Sequence, residues 1–270
     1  MQTAHQAGIQ KLYHYEPFNR QFLADTLANS RIHVSNIANV NDPWDCRPWF
    51  DKDVSTPSRR QEWATFFRPM LELRTEEQRE AIAKMNPPWT DNAPFLARTI
   101  DGLIASVVEN NIKLWRMYCL TPHSDSILMW SHYSNQHTGI CLEFDIAENA
   151  LAGARKVTYS DDFQIITPEL LGNHAALTEV VLLTKSQHWS YETEYRLLLR
   201  DRKTDPAFSL THQDEFFTLP AGTLNGVTVG ARCNQETLDT IQTLISDHAP
   251  HVKIKRAVCA PNKYNISISQ

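Results

Sequence analysis

Short segments with the pattern of β-strands occur in both halves of the sequence, and they do not alternate one for one with helical segments. A doubly wound parallel sheet needs a helix after almost every strand. The chain is therefore predicted to be α+β, with a mixed or largely antiparallel sheet at its core. The predicted strands cover residues 12–15, 31–36, 113–121, 139–146, 154–160, 194–200, 215–219, 224–230 and 251–259.

Helical periodicity predicts helices at residues 17–29, 58–85, 94–111, 124–133, 168–186 and 234–248. The sequence Asn86-Pro87-Pro88 ends the second of these, because proline cannot continue a helix. The block 51–112 is mostly helical and lies between two strand-rich halves. We interpret residues 1–270 as a single α+β domain that carries a helical insertion at 51–112.

Composition excludes several classes of protein. The chain carries a formal charge of −5 and only 8 glycines, with no GxGxxG or GxxxxGK[ST] sequence, so Rossmann and P-loop nucleotide sites are not expected. The 5 cysteines form no CxxC pair, and no HExxH or EF-hand motif occurs, so no metal site is predicted. The absence of a long apolar run and of a signal-peptide pattern predicts a cytoplasmic protein without a membrane partner. The sequence does not predict its oligomeric state.

Two glutamates and an arginine alternate in the segment His188-Trp189-Ser190-Tyr191-Glu192-Thr193-Glu194-Tyr195-Arg196. On a strand, Glu192, Glu194 and Arg196 would share one face. Two neighbouring carboxylates repel each other unless a cation or a ligand compensates them. One interpretation is therefore a site that uses paired carboxylates, and the other is a solvent-exposed face with a weak ion pair.

Three further segments carry side chains that suit chemistry, each with a structural alternative. In Met129-Trp130-Ser131-His132-Tyr133, the aromatic residues are either core residues or ligand contacts. Asn41-Asp42-Pro43-Trp44-Asp45-Cys46 is either an ordinary turn or a loop whose aspartates line a site. On the first strand, Tyr13 and Tyr15 share a face and His14 takes the other, where a structural role is the usual one for a histidine.

These segments occur in an order that resembles a known family. LYHY is followed by NDPWDC, then by YCLT and LMWSHYSNQHTGICLEF, and finally by HWSYETEYRLLL. This order resembles the bacterial family known as domain of unknown function 2971, over about residues 12–230. The family has no assigned function, so the resemblance implies none.

A second resemblance, to the ADP-ribosyltransferase superfamily, concerns chemistry. It rests on an aromatic/His first strand, a strand ending in a hydroxyl residue and a later strand with E-x-E. It implies a split sheet and an enzyme that uses NAD as substrate. It also implies that His14 holds NAD, that Thr121 lies by the nicotinamide, and that Glu194 stabilises an oxocarbenium-like transition state while Glu192 orients the nucleophile. Thr121 departs from the pattern, because Pro122 follows it.

NAD as a substrate has further requirements. Its pyrophosphate needs cations, for which Arg20, Arg31, Arg116 and Arg196 are candidates. With aromatic contacts included, the residues predicted to bind the cofactor are His14, Tyr15, Trp130, His132, Tyr133 and Arg196. The acceptor of the transferred group, whether protein, nucleic acid or another molecule, is not predicted. A role as a bacterial toxin or a phage-defence effector is one expectation for such an enzyme.

Two other functions stay open on the sequence alone. A metal-dependent nuclease or hydrolase would use Asp42, Asp45, Glu143 and His132. A non-catalytic module that senses a nucleotide would use the same polar residues as a ligand pocket. For the enzyme, Glu194→Gln is expected to abolish turnover and to leave the melting temperature nearly unchanged.

Overall fold

The computed structural model describes residues 2–200 and 215–269, with the side chains of all of these except residues 110–113 and 174. The α+β class predicted from the sequence is confirmed. The strands are β1 (Lys11–Glu16), β2 (Arg31–His33), β3 (Ser35–Asn36), β4 (Trp49–Phe50), β5 (Trp115–Leu120), β6 (Ile140–Asp145), β7 (Arg155–Lys156), β8 (Thr158–Ser160), β9 (Ile165–Ile166), β10 (Thr184–Ser186), β11 (Tyr195–Arg200), β12 (Phe216–Thr218), β13 (Leu224–Val229), β14 (Lys253–Cys259) and β15 (Ile266–Ser269). The α-helices are α1 (Arg20–Asn29), α2 (Pro57–Glu72), α3 (Glu76–Ala83), α4 (Ala93–Leu114), α5 (Ile127–His132), α6 (Pro168–Leu171), α7 (His174–Leu182) and α8 (Gln235–His248).

The larger sheet has the strand order β1-β6-β13-β14-β15. Its pairs are antiparallel except for β13 and β14, which are parallel and are connected through α8. Asn234 caps α8 by accepting a hydrogen bond from the Thr237 backbone N–H. Helices α1 and α8 pack against each other, and their apolar faces join this sheet in one hydrophobic core that includes Leu23, Phe144 and Ile241.

The smaller sheet has the order β3-β5-β11-β7, and all its pairs are antiparallel. Helices α2 and α4 from the predicted insertion contribute Trp63, Phe67, Leu96 and Ile100 to a second core, which reaches Met117 on β5. The insertion therefore covers the smaller sheet.

The two sheets meet where β1 passes β5. The backbone N–H of Tyr13 donates to the Thr121 carbonyl at 2.8 Å, and the Thr121 N–H donates to the Tyr13 carbonyl at 2.9 Å. Beyond this bridge β1 pairs with β6, whereas β5 pairs with β11. The junction brings the first strand next to the segment that precedes β11. A split sheet specifically of the ADP-ribosyltransferase type is not confirmed.

Several predicted elements differ from the structure. The helix predicted at 58–85 is two helices, because Thr75 forms a capping box that starts α3. The helix predicted at 168–186 ends at Leu182 and is interrupted between α6 and α7, and residues 184–186 form β10 paired with β8. The E-x-E-x-R segment was predicted as one strand, but Gln187–Glu192 is a 3₁₀-helix and β11 begins only at Tyr195.

Among the described residues, none of the helices combines the length and the hydropathy that crossing a bilayer requires.

Candidate active site

Five ionisable side chains are packed together in the interior beside the junction of the two sheets. We call them the charged cluster: Asp45, Lys185, Glu192, Glu194 and Arg196. All five are buried. Charged groups are rarely buried unless each one is paired, so the contacts within this cluster decide what it can do.

Arg196 lies at the inner end of the charged cluster. Its guanidinium donates two hydrogen bonds to Asp45, at 2.5 and 3.0 Å, and two to Glu194, at 2.8 and 2.9 Å. It also donates to the Leu182 carbonyl at 2.7 Å. The planar fork of arginine suits such paired carboxylates. The N–H donors of Arg196 are therefore all bonded within the protein, and none is free to bind the cofactor as predicted.

Lys185 links the carboxylates at the outer end. Its Nζ lies 2.6 Å from Glu192, 3.3 Å from Glu194 and 3.7 Å from Asp45. The Tyr133 hydroxyl donates a hydrogen bond to the other oxygen of Glu192. Three carboxylates against two cations leave the fully ionised cluster with a net charge of −1. The excess negative charge lies at the end nearest Glu192.

Local backbone geometry brings Glu192 and Glu194 together in a way that a strand does not. Glu192 ends the 3₁₀-helix, and Thr193 has a left-handed backbone with φ of 46°. The Glu194 N–H then donates to the Tyr159 hydroxyl at 2.8 Å, and its carbonyl accepts from the Val157 N–H. The two glutamates and Arg196 do lie together in the charged cluster, but this turn brings them there and not the face of a single strand that was predicted. The alternative of a solvent-exposed face is wrong, since Glu192 is only 2% exposed.

The two glutamates have opposite protonation behaviour. Burial, followed by repulsion from the Glu194 carboxylate, raises the pKa of Glu192 to about 7, although Lys185 and Tyr133 oppose the rise. Burial also disfavours ionisation of Glu194, but Arg196 and Lys185 outweigh it and hold its pKa well below the usual range. Environments that separate two carboxyl pKa values assign one group to proton transfer and the other to permanent charge.

A small cavity of about 80 Å³ lies against the outer end of the charged cluster. Its wall combines both sheets and the loop after β3, and it is formed by Tyr13, His14, Tyr15, Val40, Asn41, Asp45, Cys119, Leu120, Met129, Tyr133, Lys185, Glu192 and Glu194. The junction of β1 and β5 therefore places the first strand opposite the two glutamates. We call this space the small cavity.

A larger pocket of about 430 Å³ lies on another side of the charged cluster. It shares Asn41, Asp45 and Lys185 with the small cavity. The remainder of its wall comes from residues 42–44, 46–48, 160–164, 180–181, 184, 186, 188 and 189. We call this space the aromatic pocket, because Trp44, Phe163 and Trp189 line it.

His14 and Tyr15, predicted to hold the cofactor, both line the small cavity. The His14 Nδ1 lies 2.7 Å from the Cys119 carbonyl, and burial lowers the pKa of His14 to about 4. Its ring is therefore neutral at physiological pH, with the Nδ1 proton donated to that carbonyl. The Tyr15 hydroxyl donates to the His123 carbonyl at 2.9 Å, so its ring is held in place.

Other predicted residues lie away from the small cavity. Thr121 is buried in the bridge to Tyr13, and its hydroxyl oxygen accepts a hydrogen bond from the His123 N–H. Trp130 is completely buried, donates to the Ser124 carbonyl and packs edge-on against Tyr15, so the prediction that it stacks on a ligand is wrong. His132 is exposed and its Nδ1 lies 2.7 Å from the Tyr191 hydroxyl.

The arginines predicted to bind a pyrophosphate line neither space. Arg31 forms an ion pair with Asp25, and Arg116 lies 3.8 Å from Glu215. Arg20 is an exposed residue of α1. The basic side chains around the two spaces are instead Lys185 and Arg47. Sequence reasoning missed both, because an isolated lysine or arginine has no spacing signal.

The acidic residues considered for a metal site do not converge. Glu143 is bound by Lys11 and Lys255, each at 2.5 Å, on the larger sheet. Asp45 is held by Arg196, and Asp42 accepts from the Trp44 backbone N–H. Across residues 2–200 and 215–269, no group of three or more His, Cys, Asp or Glu has metal-binding geometry.

Comparison with known proteins gives a family match over part of the chain. No curated protein and no solved structure matches the chain. Within the chain, residues 129–197 match the family model described as protein of unknown function (DUF2971). This segment contributes four of the five side chains of the charged cluster, namely Lys185, Glu192, Glu194 and Arg196. It also contains Tyr133. The resemblance predicted from the sequence over about residues 12–230 is thus confirmed over residues 129–197, which are similar to the family of unknown function DUF2971.

Proposed function

We propose that the chain is an ADP-ribosyltransferase-like enzyme that consumes NAD at the small cavity. One observation carries the proposal: the cavity brings His14 and Tyr15 of the first strand together with Glu192 and Glu194, two carboxyl groups of opposite protonation behaviour. His14, Glu192 and Glu194 are three of the four residues to which the superfamily resemblance gives a role, and they come from chain segments about 180 residues apart. Thr121, the fourth, does not line the cavity.

The proposed reaction breaks the bond between C1′ of the ribose and the nicotinamide nitrogen. The bonding electron pair leaves with nicotinamide, so positive charge develops on the sugar. A fixed carboxylate in a water-poor site stabilises that charge, which is the role of Glu194. Glu192, whose pKa is near 7, accepts the proton of the incoming nucleophile as the new bond to C1′ forms.

The charge and shape of the small cavity fit the reactive end of NAD. The bound nicotinamide is a pyridinium cation, and it would meet Tyr13, Tyr15 and Tyr133 beside a cluster with net negative charge. At about 80 Å³ the space is below the roughly 300–1,000 Å³ of usual ligand sites. Entry of the ribose therefore requires the wall of the small cavity to open.

The test is release of labelled nicotinamide from NAD by the purified protein and by Glu194→Gln. We expect release by the native protein and a loss of at least about a hundredfold in the variant. Full release by Glu194→Gln would contradict the proposed role. Glu194 also forms three contacts with Arg196 and Lys185, so the earlier expectation of an unchanged melting temperature is not consistent with the structure. The assay is therefore run well below the variant's measured unfolding temperature.

A nucleotide-sensing module without turnover is the second candidate. The observation in its favour is that Arg196 and Lys185 already neutralise much of the Glu194 charge, as in a purely structural network. NAD that binds and is recovered intact after long incubation would support this candidate. A role in toxicity or phage defence stays a prediction.

A further inference from the structure

The aromatic pocket has a composition that differs from that of the small cavity. Its wall contains four aspartates against two basic residues, together with three large aromatic side chains. Asp161 and Asp162 are exposed at its edge, and within residues 2–200 and 215–269 neither carboxylate forms an ion pair. Negative groups without partners around a concave surface favour a positively charged ligand.

Aromatic rings in this pocket are unusually accessible. Trp44 is 63% exposed and Phe163 is 48% exposed. The Phe163 ring packs against Trp49, with 6.2 Å between the ring centres. Trp49 lies on β4, which pairs with β9. Large aromatic side chains at a pocket rim mark a binding surface more often than scattered apolar residues do.

One ring of the pocket already contacts a cation. The Lys185 ammonium lies 4.9 Å from the centre of the Trp189 ring. That contact uses one face of Trp189 and leaves Trp44 and Phe163 as the rings for a ligand. Rings combined with carboxylates are the surroundings that bind ammonium and guanidinium groups.

We propose that the aromatic pocket binds the cationic side chain of a basic peptide segment, between the rings of Trp44 and Phe163 and the carboxylates of Asp161 and Asp162. The pocket shares Asn41, Asp45 and Lys185 with the small cavity, so a bound side chain lies next to the charged cluster. The proposal goes beyond NAD consumption, and it stands without it because binding needs no turnover.

The experiment measures binding of a fluorescent glycine/serine peptide that contains one arginine, beside the same peptide with lysine or with uncharged citrulline. We expect saturable binding of the arginine peptide, weaker binding of the lysine peptide, and at least tenfold weaker binding of the citrulline peptide. Equal binding of the citrulline and arginine peptides, or no saturable binding of any peptide, would overturn the proposal. Stronger binding of the lysine peptide than of the arginine peptide would still support a cationic ligand, with lysine as the preferred side chain.

Three surface variants locate the binding. Trp44→Ala and the double variant Asp161→Asn/Asp162→Asn should each weaken binding about tenfold, because each removes one part of the cation site. Arg47→Glu should strengthen it, because it replaces a positive charge of the wall with a negative one. All four positions are exposed, so these variants are expected to fold. Unchanged binding in all of them would refute the assignment.

A nucleotide in the aromatic pocket is the competing possibility, since Arg47 and Lys185 are also present. Adding ADP to the peptide complex distinguishes the two. If ADP displaces the peptide, and Trp44→Ala weakens this displacement, the pocket is assigned to the nucleotide and the proposal is overturned. Peptide binding that persists with saturating ADP supports it. Either result is independent of whether NAD is consumed at the small cavity.

Discussion

Two groups of side chains in this molecule pair buried carboxylates with basic residues, and the two groups differ in net charge. Glu143 is held between Lys11 and Lys255, so that group has one cation in excess. The charged cluster has one anion in excess. Glu143 lines neither the small cavity nor the aromatic pocket, whereas the charged cluster borders both.

Burial of a carboxylate does not by itself indicate function. Burial disfavours ionisation in both groups, yet the pKa of Glu143 is lowered by its two lysines while the pKa of Glu192 is raised to about 7. The difference is the balance of nearby charge. The surplus carboxylate of the charged cluster therefore gains and loses a proton near neutral pH beside a cavity, whereas Glu143 stays ionised away from both cavities.

The largest expected effect comes from removing the central cation. Arg196→Met leaves Asp45 and Glu194 buried without their main partner, so we expect the free energy of unfolding to fall by about 3–5 kcal/mol. Lys255→Met leaves Glu143 with Lys11 and should cost less. Denaturant unfolding of both variants measures this. A loss below about 1 kcal/mol in Arg196→Met would show that the cluster adds little to stability.

The next effect is a pH dependence of opposite sign in the two groups. Folded Glu192, with a pKa of about 7 against 4.5 when unfolded, holds a proton that the unfolded chain releases. Stability from Glu192 is thus complete below about pH 4.5 and is lost as the pH rises to about 7, by on the order of 3 kcal/mol. Glu143, with its lowered pKa, loses stability as the pH falls instead.

Glu192→Gln should therefore flatten the decrease in unfolding free energy between pH 4.5 and 7, and Glu143→Gln should leave it intact. Part of the decrease will persist in Glu192→Gln, because burial also raises the pKa of Glu16 to about 7. Denaturant unfolding across this pH range makes the comparison. Identical pH profiles for native protein and Glu192→Gln would contradict the assigned direction of the Glu192 shift.

A smaller effect concerns the Tyr133 hydroxyl, which donates to Glu192 and favours its charged form. Tyr133→Phe should raise the pKa of Glu192 further, moving the midpoint of the pH–rate profile for nicotinamide release upward by about one unit or less. Tyr191→Phe is the matched control, because the Tyr191 hydroxyl contacts His132 instead. A shift in the control but not in Tyr133→Phe would refute this role.

The smallest effect is expected at Lys11, in the group around Glu143. Lys11 is half-exposed, and Glu143 keeps Lys255 when Lys11 is replaced. Lys11→Met should therefore lower the free energy of unfolding by less than about 1 kcal/mol. Thermal unfolding gives this value. A loss as large as that of Arg196→Met would remove the distinction between the two groups.

The sequence predicted the fold class and most element positions, because alternation, periodicity and proline stops are local signals. It also singled out Glu192, Glu194, Tyr133 and Asp45. It did not predict Lys185 in the cluster, because residues 184–186 form a strand only by pairing with β8, a long-range contact. It misplaced Trp130 for a similar reason, since the hydrogen bond to Ser124 and the packing on Tyr15 are tertiary features.

The most direct test of the account is nicotinamide release from NAD by Glu192→Gln and Glu143→Gln, measured side by side with the native protein. Each variant neutralises one buried carboxylate, but only Glu192 lines the small cavity. We expect at least about a hundredfold loss of release in Glu192→Gln and native-like release in Glu143→Gln. Equal rates in the two variants would contradict the assignment of the chemistry to the charged cluster.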